Sequence, residues 1–157
     1  MPKAEGAQLP DNARISTQWT RRMNSLKLWL TLRMHGRRAY EEHIDRQLRL
    51  ARQFTEWIER SEYFELAAPT MLTIVNFRVK ASSLYGAELA ETHAAIVDAV
   101  TQDGQLWISD TEVNGGSVLR MMVISYLTEE RHLETLQNAL EAAAKSVADR
   151  ARNPAMH

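Results

Sequence analysis

Leu106-Trp107-Ile108-Ser109-Asp110-Thr111-Glu112-Val113, then Asn114-Gly115-Gly116, then Ser117-Val118-Leu119-Arg120-Met121-Met122-Val123-Ile124-Ser125-Tyr126: two runs of strand composition flank an Asn-Gly pair. A tight two-residue hairpin turn needs positive φ at both central positions, which Asn and Gly tolerate best, so these residues predict a β-hairpin. In the second run every residue from Val118 to Ile124 except Arg120 is apolar. That pattern suits a covered strand and makes the arginine conspicuous.

Beyond the hairpin, Thr128 is placed as a helix N-cap, with Glu129 and Glu130 in the first turn where they favour the helix dipole. The helix stripe is Leu133, Leu136, Leu140, Ala143 and Val147. Before the hairpin, residues 86–102 have helical spacing through Leu89, His93, Ile96, Val97 and Val100, ending at an Asp103-Gly104 turn. Tyr63–Ala67 and Met71–Lys80 read as strands separated by Pro69, the second apolar on both faces at its start, as a central strand is. Residues 37–60 form an amphipathic helix through Tyr40, Ile44, Leu48, Ala51, Phe54, Trp57 and Ile58. An earlier helix starts at Ser16 or Thr17 and runs to His35, with Gly36 at the C-terminal cap position. Its stripe of Trp19, Met23, Leu26 and Leu30 is joined by Leu28, Trp29, Leu32 and Met34, so apolar surface surrounds its second half.

The order is therefore α-α-β-β-α-β-β-α. It predicts an α+β fold, a small and mostly antiparallel four-stranded sheet with helices packed on it, preceded by two long helices. The expected divisions are an extended lead-in or linker over 1–15, one domain over 16–150 and a disordered tail over 151–157.

The 157 residues are 45% hydrophobic and 25% charged, ample for one core, and carry a net charge of −1. Residues 1–60 hold 12 Lys and Arg against 7 Asp and Glu, and the rest hold 7 against 13. A nucleic-acid face on the basic part is possible on charge, but acid-before-base helical pairs such as Glu42/Arg46, Asp45/Arg49 and Glu56/Arg60 favour a solvated helix surface. There is no cysteine, which excludes disulfides and thiolate chemistry and points to an intracellular compartment. No apolar run is long enough to span a membrane, and a cytoplasmic location is expected.

Most candidate chemistry is weak. His35, His43, His93, His132 and His157 show no zinc-helix spacing, so no metal site is expected. His35 beside the cap glycine and His93 on an apolar stripe have structural explanations. Ser109, Asp110 and Thr111 lack a nucleophile elbow, and Gly115-Gly116 does not open a helix as a phosphate loop does. Trp19, Trp29, Trp57 and Trp107 suit a core or interface. Arg120 is the exception. A guanidinium in a covered strand needs a carboxylate for its fork, either an internal Asp or Glu or a ligand.

One segment carries a family resemblance. Thr20-Arg21-Arg22-Met23-Asn24-Ser25-Leu26-Lys27-Leu28-Trp29-Leu30-Thr31-Leu32-Arg33, followed by His35-Gly36-Arg37, resembles the R-R-x-x-x-L-K-L-W-x-x-x-R-x-x-G segment of the group II pyridoxal-phosphate decarboxylases. That family includes the aromatic amino-acid, histidine, glutamate and diaminobutyrate decarboxylases. The similarity continues through Tyr63-Phe64-Glu65-Leu66, Leu72–Arg78, Val118-Leu119-Arg120 and Thr128-Glu129-Glu130, covering roughly residues 16–145 in consistent order. It implies the small C-terminal domain of a fold-type-I enzyme, packed on a large cofactor-binding domain in a homodimer.

The resemblance implies that the Schiff-base lysine, which follows a histidine in the large domain, is missing. Lys3, Lys27, Lys80 and Lys145 do not follow a histidine. No catalytic or cofactor-binding residue is therefore expected in the chain, and pyridoxal 5′-phosphate belongs to the full-length enzyme, whose ring takes up the electrons as carbon dioxide leaves. Arg120 matches the family arginine that contacts a carboxylate of the bound substrate or product. Arg21 and Arg22 are assigned to domain packing. Tyr126 stands where relatives commonly have asparagine. The implied function is the C-terminal part of a carboxy-lyase that decarboxylates an amino acid and is inactive alone. The alternative is a stand-alone interaction or regulatory module. The implied partners are the missing large domain or a separately encoded equivalent and an amino-acid substrate, with no nucleic acid and no membrane.

Overall fold

The computed structural model describes residues 23–80 and 86–152. Helix α1 spans Asn24–Arg60 and breaks at Gly36, whose φ of 75° and ψ of 166° are open to glycine and closed to most other residues. Strands β1 (Phe64–Leu66) and β2 (Ile74–Val79) follow, then α2 (Ala87–Thr101), the hairpin β3 (Ser109–Val113) and β4 (Gly116–Met122), and α3 (Glu130–Arg152). The sheet order is β1-β2-β4-β3, and every pairing is antiparallel. This is the α+β arrangement expected, with β2 and β4 central. The expected start of the first helix at Ser16 or Thr17, with Trp19, Arg21 and Arg22, and the 1–15 lead-in lie outside the described residues, as do 153–157 of the tail. Helix α3 extends through 151–152.

The chain divides into two compact units, residues 1–40 and 41–157. In the first, the described helix exposes Leu26, Leu28, Trp29, Leu30, Leu32 and Met34, and the Arg33 guanidinium lies 5.9 Å from the Trp29 ring centre. In the second, a core forms where three helical stripes meet one sheet face: Leu50, Ala51, Phe54 and Ile58 from α1, Ile96 and Val100 from α2, and Leu133, Leu136 and Leu140 from α3 close on Phe64, Val75, Phe77, Leu119 and Met121. Phe77 meets Phe54 and Phe64 edge to face, at 5.6 and 5.5 Å, a geometry aromatic rings favour. Two helical expectations shift. Ile44 is 51% exposed, and the α1 stripe instead passes through Gln47 and Leu50. Helix α3 is entered two residues after Thr128. The Thr128 N–H donates to the Ser125 carbonyl, and the Glu129 N–H donates to Nδ1 of His132, which takes the reach-back part of a capping box.

The hairpin forms as its turn residues dictate. Asn114 and Gly115 have φ of 52° and 78°, and Val113 stands opposite Gly116. This two-residue loop sets the register for the whole pair. Residues Leu106 to Ile108 fall outside β3, which is shorter than the sequence suggests. The ladder around β1 is wider than its three residues: the Lys80 N–H donates to the Tyr63 carbonyl and the Ala67 N–H to the Asn76 carbonyl.

Candidate functional site

Side chains alternate across a strand, so β4 shows Leu119 and Met121 to the core and Val118, Arg120 and Met122 to the opposite sheet face. Arg120 stands directly opposite Asn76 on β2 and Ser109 on β3. Residues directly paired in an antiparallel ladder share a face, with Cβ atoms about 5 Å apart. Three neighbouring strands thus place three polar side chains in one row. All three residues are half-buried. Each holds a buried polar atom without a hydrogen-bond partner: Asn76 Oδ1, Arg120 Nε and Ser109 Oγ. Buried polar groups are nearly always paired, and an unpaired one costs about 1–3 kcal/mol.

Among the described residues Arg120 has not found the internal carboxylate it could have used. No Asp or Glu of the described residues pairs with it, while Arg78 on the same face donates from Nε to Glu65 Oε1 at 2.6 Å. A fork built to grip a carboxylate is left open in the row.

The other sheet face carries a polar cluster with the opposite character. His93 on α2 is fully buried. Its Nε2 accepts from the Val79 N–H at 3.3 Å, and its Nδ1 lies 2.8 Å from Ser117 Oγ. Since Nε2 accepts, Nδ1 carries the proton and donates to the serine oxygen. His93 is therefore not placed to take a proton from Ser117, and no nucleophile arises despite Asp110 nearby. Burial chiefly lowers the His93 pKa to about 4, Asp110 opposing and Arg78 adding to the shift. The residue is a structural tie between α2, β2 and β4.

Of the other candidates, Asp110 is exposed, Thr111 is half-buried, and Ser109 belongs to the Arg120 row. His35 and His132 are exposed. Tyr126 is exposed, its carbonyl accepts from Arg46, and its ring meets His43 edge on at 6.5 Å. Among the described residues no three His, Cys, Asp or Glu side chains gather as a metal site, and no helix is long and apolar enough to cross a membrane. Trp57 packs on the core, while Trp107 and Trp29 are exposed. A cavity of about 460 Å³ beside Trp107 is lined by Met121, Val123, Ile124, Leu127, Leu133 and Leu136.

Asn76 was not singled out by sequence, because its neighbourhood to Arg120 depends on pairing between strands more than forty residues apart. Ser109 was reachable. With Asn114-Gly115 at the turn, counting outward from Val113 and Gly116 sets Ser109 opposite Arg120.

The model of the pyridoxal-dependent decarboxylase conserved domain matches residues 6–80. An aromatic-L-amino-acid decarboxylase of Catharanthus roseus is 32% identical over 123 residues, which are 77% of this chain and 24% of that protein. Among solved structures, TDC of Oryza sativa with PLP and tryptamine is 25% identical with a TM-score of 0.77, covering 87% of this chain and 30% of that one. Tryptophan decarboxylase of Catharanthus roseus in complex with L-tryptophan is 28% identical with a TM-score of 0.70, covering 80% and 27%. The chain spans about a quarter of the length of the curated relatives it matches.

Proposed function

Since the chain belongs to the pyridoxal-dependent decarboxylase family, we propose that it is the C-terminal part of a carboxy-lyase that converts an amino acid to an amine, with Arg120 holding a carboxylate of the bound substrate or product. The observation that carries this reading is the open fork of Arg120, half-buried in a central strand with Nε buried and unpartnered. A guanidinium so placed, with no Asp or Glu among the described residues to pair it, is matched to the carboxylate of a bound molecule.

The family is dependent on pyridoxal phosphate, and the described residues do not fit that group by themselves. Covalent attachment needs a free lysine amine beside a phosphate cradle and an acid for the ring nitrogen. Lys80 Nζ donates to the Ser61 carbonyl at 2.7 Å, and Lys27 and Lys145 stand exposed on α1 and α3. The cofactor site and the reaction steps belong to a large domain that this chain does not contain, and the chain alone is inactive.

That large domain, or a separately encoded equivalent, is the proposed partner, in a cytoplasmic homodimer. Its support is exposed apolar surface on each unit, Leu28, Trp29, Leu30 and Leu32 on one and Trp107, Ile124 and Leu127 on the other. Patches of this kind mark interaction surfaces.

The test is a graft. The chain replaces the matching segment of the Catharanthus roseus aromatic-L-amino-acid decarboxylase, and carbon dioxide release from L-tryptophan is followed. The isolated chain is expected to release none, the graft to be active, and Arg120→Met in the graft to lower kcat/KM by about 10- to 100-fold, the value of a charged hydrogen-bonded contact. Activity of the isolated chain, or a graft indifferent to Arg120→Met, would refute the reading.

A further inference from the structure

We infer that Asn76 and Ser109 bind the same ligand as Arg120, so that three strands together present one carboxylate-binding row. The inference rests on the reading of Arg120 given above and adds two residues to it.

The register makes the row. Asn76, Arg120 and Ser109 are consecutive across β2, β4 and β3, and the three orphaned atoms fall on these three residues. Their neighbours along the strands differ. Arg78 is satisfied by Glu65, and Val118 and Met122 need no partner. A lone orphan could be a local fault of packing. Three in one cross-strand line, on a sheet whose buried His93 is fully partnered, point to one absent group that meets all of them.

The chemistry of that group follows from the donors. Arg120 offers a fixed fork, Ser109 a rotatable O–H, and Asn76 an amide whose half-turn presents NH₂ in place of the carbonyl. A carboxylate has about four lone-pair positions and can accept from all three. A cation is repelled by Arg120, and a neutral apolar group leaves the three unpaired. The carboxylate could come from a bound substrate or from an Asp or Glu of a partner domain, and the two sources separate in the experiment.

Propionate is titrated into the ¹⁵N-labelled 157-residue chain at constant ionic strength, with the Arg120 Nε–Hε resonance followed by NMR. A saturable shift is expected, weakened by about 3- to 10-fold in Ser109→Ala and in Asn76→Ala; in Arg120→Met, which lacks that resonance, the backbone amides of residues 76 and 109 are followed and are expected to show no saturable shift. Thermal unfolding of the same variants without ligand supplies a second readout. A residue kept for a ligand leaves Tm unchanged or raised when its orphaned atom is removed, whereas a residue kept for the fold lowers it. Equal propionate affinity in Ser109→Ala, Asn76→Ala and the parent overturns the inference and leaves Arg120 standing alone. No binding by the parent, or a fall in Tm of both variants, overturns it too. None of these outcomes bears on the graft, whose failure would reject the decarboxylase reading by itself.

To separate the sources, the same three substitutions enter the active graft. A rise in KM for L-tryptophan assigns the row to substrate. Unchanged KM with loss of association between chain and large domain, expressed as two pieces, assigns it to a carboxylate of the partner.

Discussion

His93 and Arg120 lie on opposite sides of one thin sheet, and their polar atoms have met opposite fates. Each nitrogen of His93 is engaged, one by the Val79 N–H and one by Ser117 Oγ, and the ring is sealed from solvent. Arg120 is half-buried and its Nε has no partner, as with Asn76 and Ser109 beside it. A completed network ties elements together and asks nothing of other molecules. An incomplete one costs stability that only a missing partner returns. In this protein, therefore, the histidine that superficially resembles a catalytic group is architecture, and the arginine among aliphatic residues is the functional candidate.

The contrast is sharpest under truncation. His93→Ala removes a buried ring and strands the Val79 N–H and the Ser117 hydroxyl, and is expected to cost about 3–5 kcal/mol. Arg120→Met trades an unpaired guanidinium for an apolar chain of similar reach and is expected to change stability by less than about 1 kcal/mol. Urea unfolding monitored by circular dichroism measures both. A smaller loss for His93→Ala than for Arg120→Met would reverse the assignment of architecture and function.

Acid probes the His93 face. Burial lowers the His93 pKa to about 4 in the folded chain, against an ordinary 6.5 when unfolded. The unfolded chain therefore binds more protons between those values. This contribution is fully present above pH 6.5 and is lost as pH falls toward 4, a change of about 3 kcal/mol. In His93→Gln, whose amide supplies both an acceptor and a donor, the step between pH 6.5 and 4 should shrink. A stability profile identical to the parent's would mean that His93 is not the titrating group.

The two faces were not equally legible in the sequence. The apolar periodicities located the three helices of the core and put His93 on its stripe, because those signals are local. Asn114-Gly115 announced the hairpin for the same reason. Gly115 has a φ of 78° with no atom within 4 Å of an added Cβ, so Gly115→Ala meets no clash and only left-handed strain, about 1 kcal/mol by thermal unfolding. A much larger loss would mean that the turn does more than set the register of Ser109 against Arg120. Asn76 escaped notice, since its place in the row depends on β2 pairing with β4 across an intervening helix. Ile44 looked like core by spacing and is exposed, whereas Gln47 is buried, because the surface that α1 meets, and not its own period, decides which residues are covered.

Arg78 shows by comparison what the row lacks. It lies on the same sheet face as Arg120, one cross-strand position from the edge, and its Nε meets Glu65 Oε1 at 2.6 Å in a directly opposed pair. Both side chains are about half exposed, 50% and 42%. Water and salt already screen such charges, so Glu65→Ala is expected to cost only about 0.5 kcal/mol, and less in concentrated salt. That small figure is informative, since a half-exposed arginine loses little when its carboxylate goes, because solvent replaces it. Arg120 has no such substitute at Nε, which solvent does not reach. Should Glu65→Ala prove as costly as breaking a buried pair, the face would be drier than the exposure of Arg78 implies, and the two arginines would differ in partner and not in solvation.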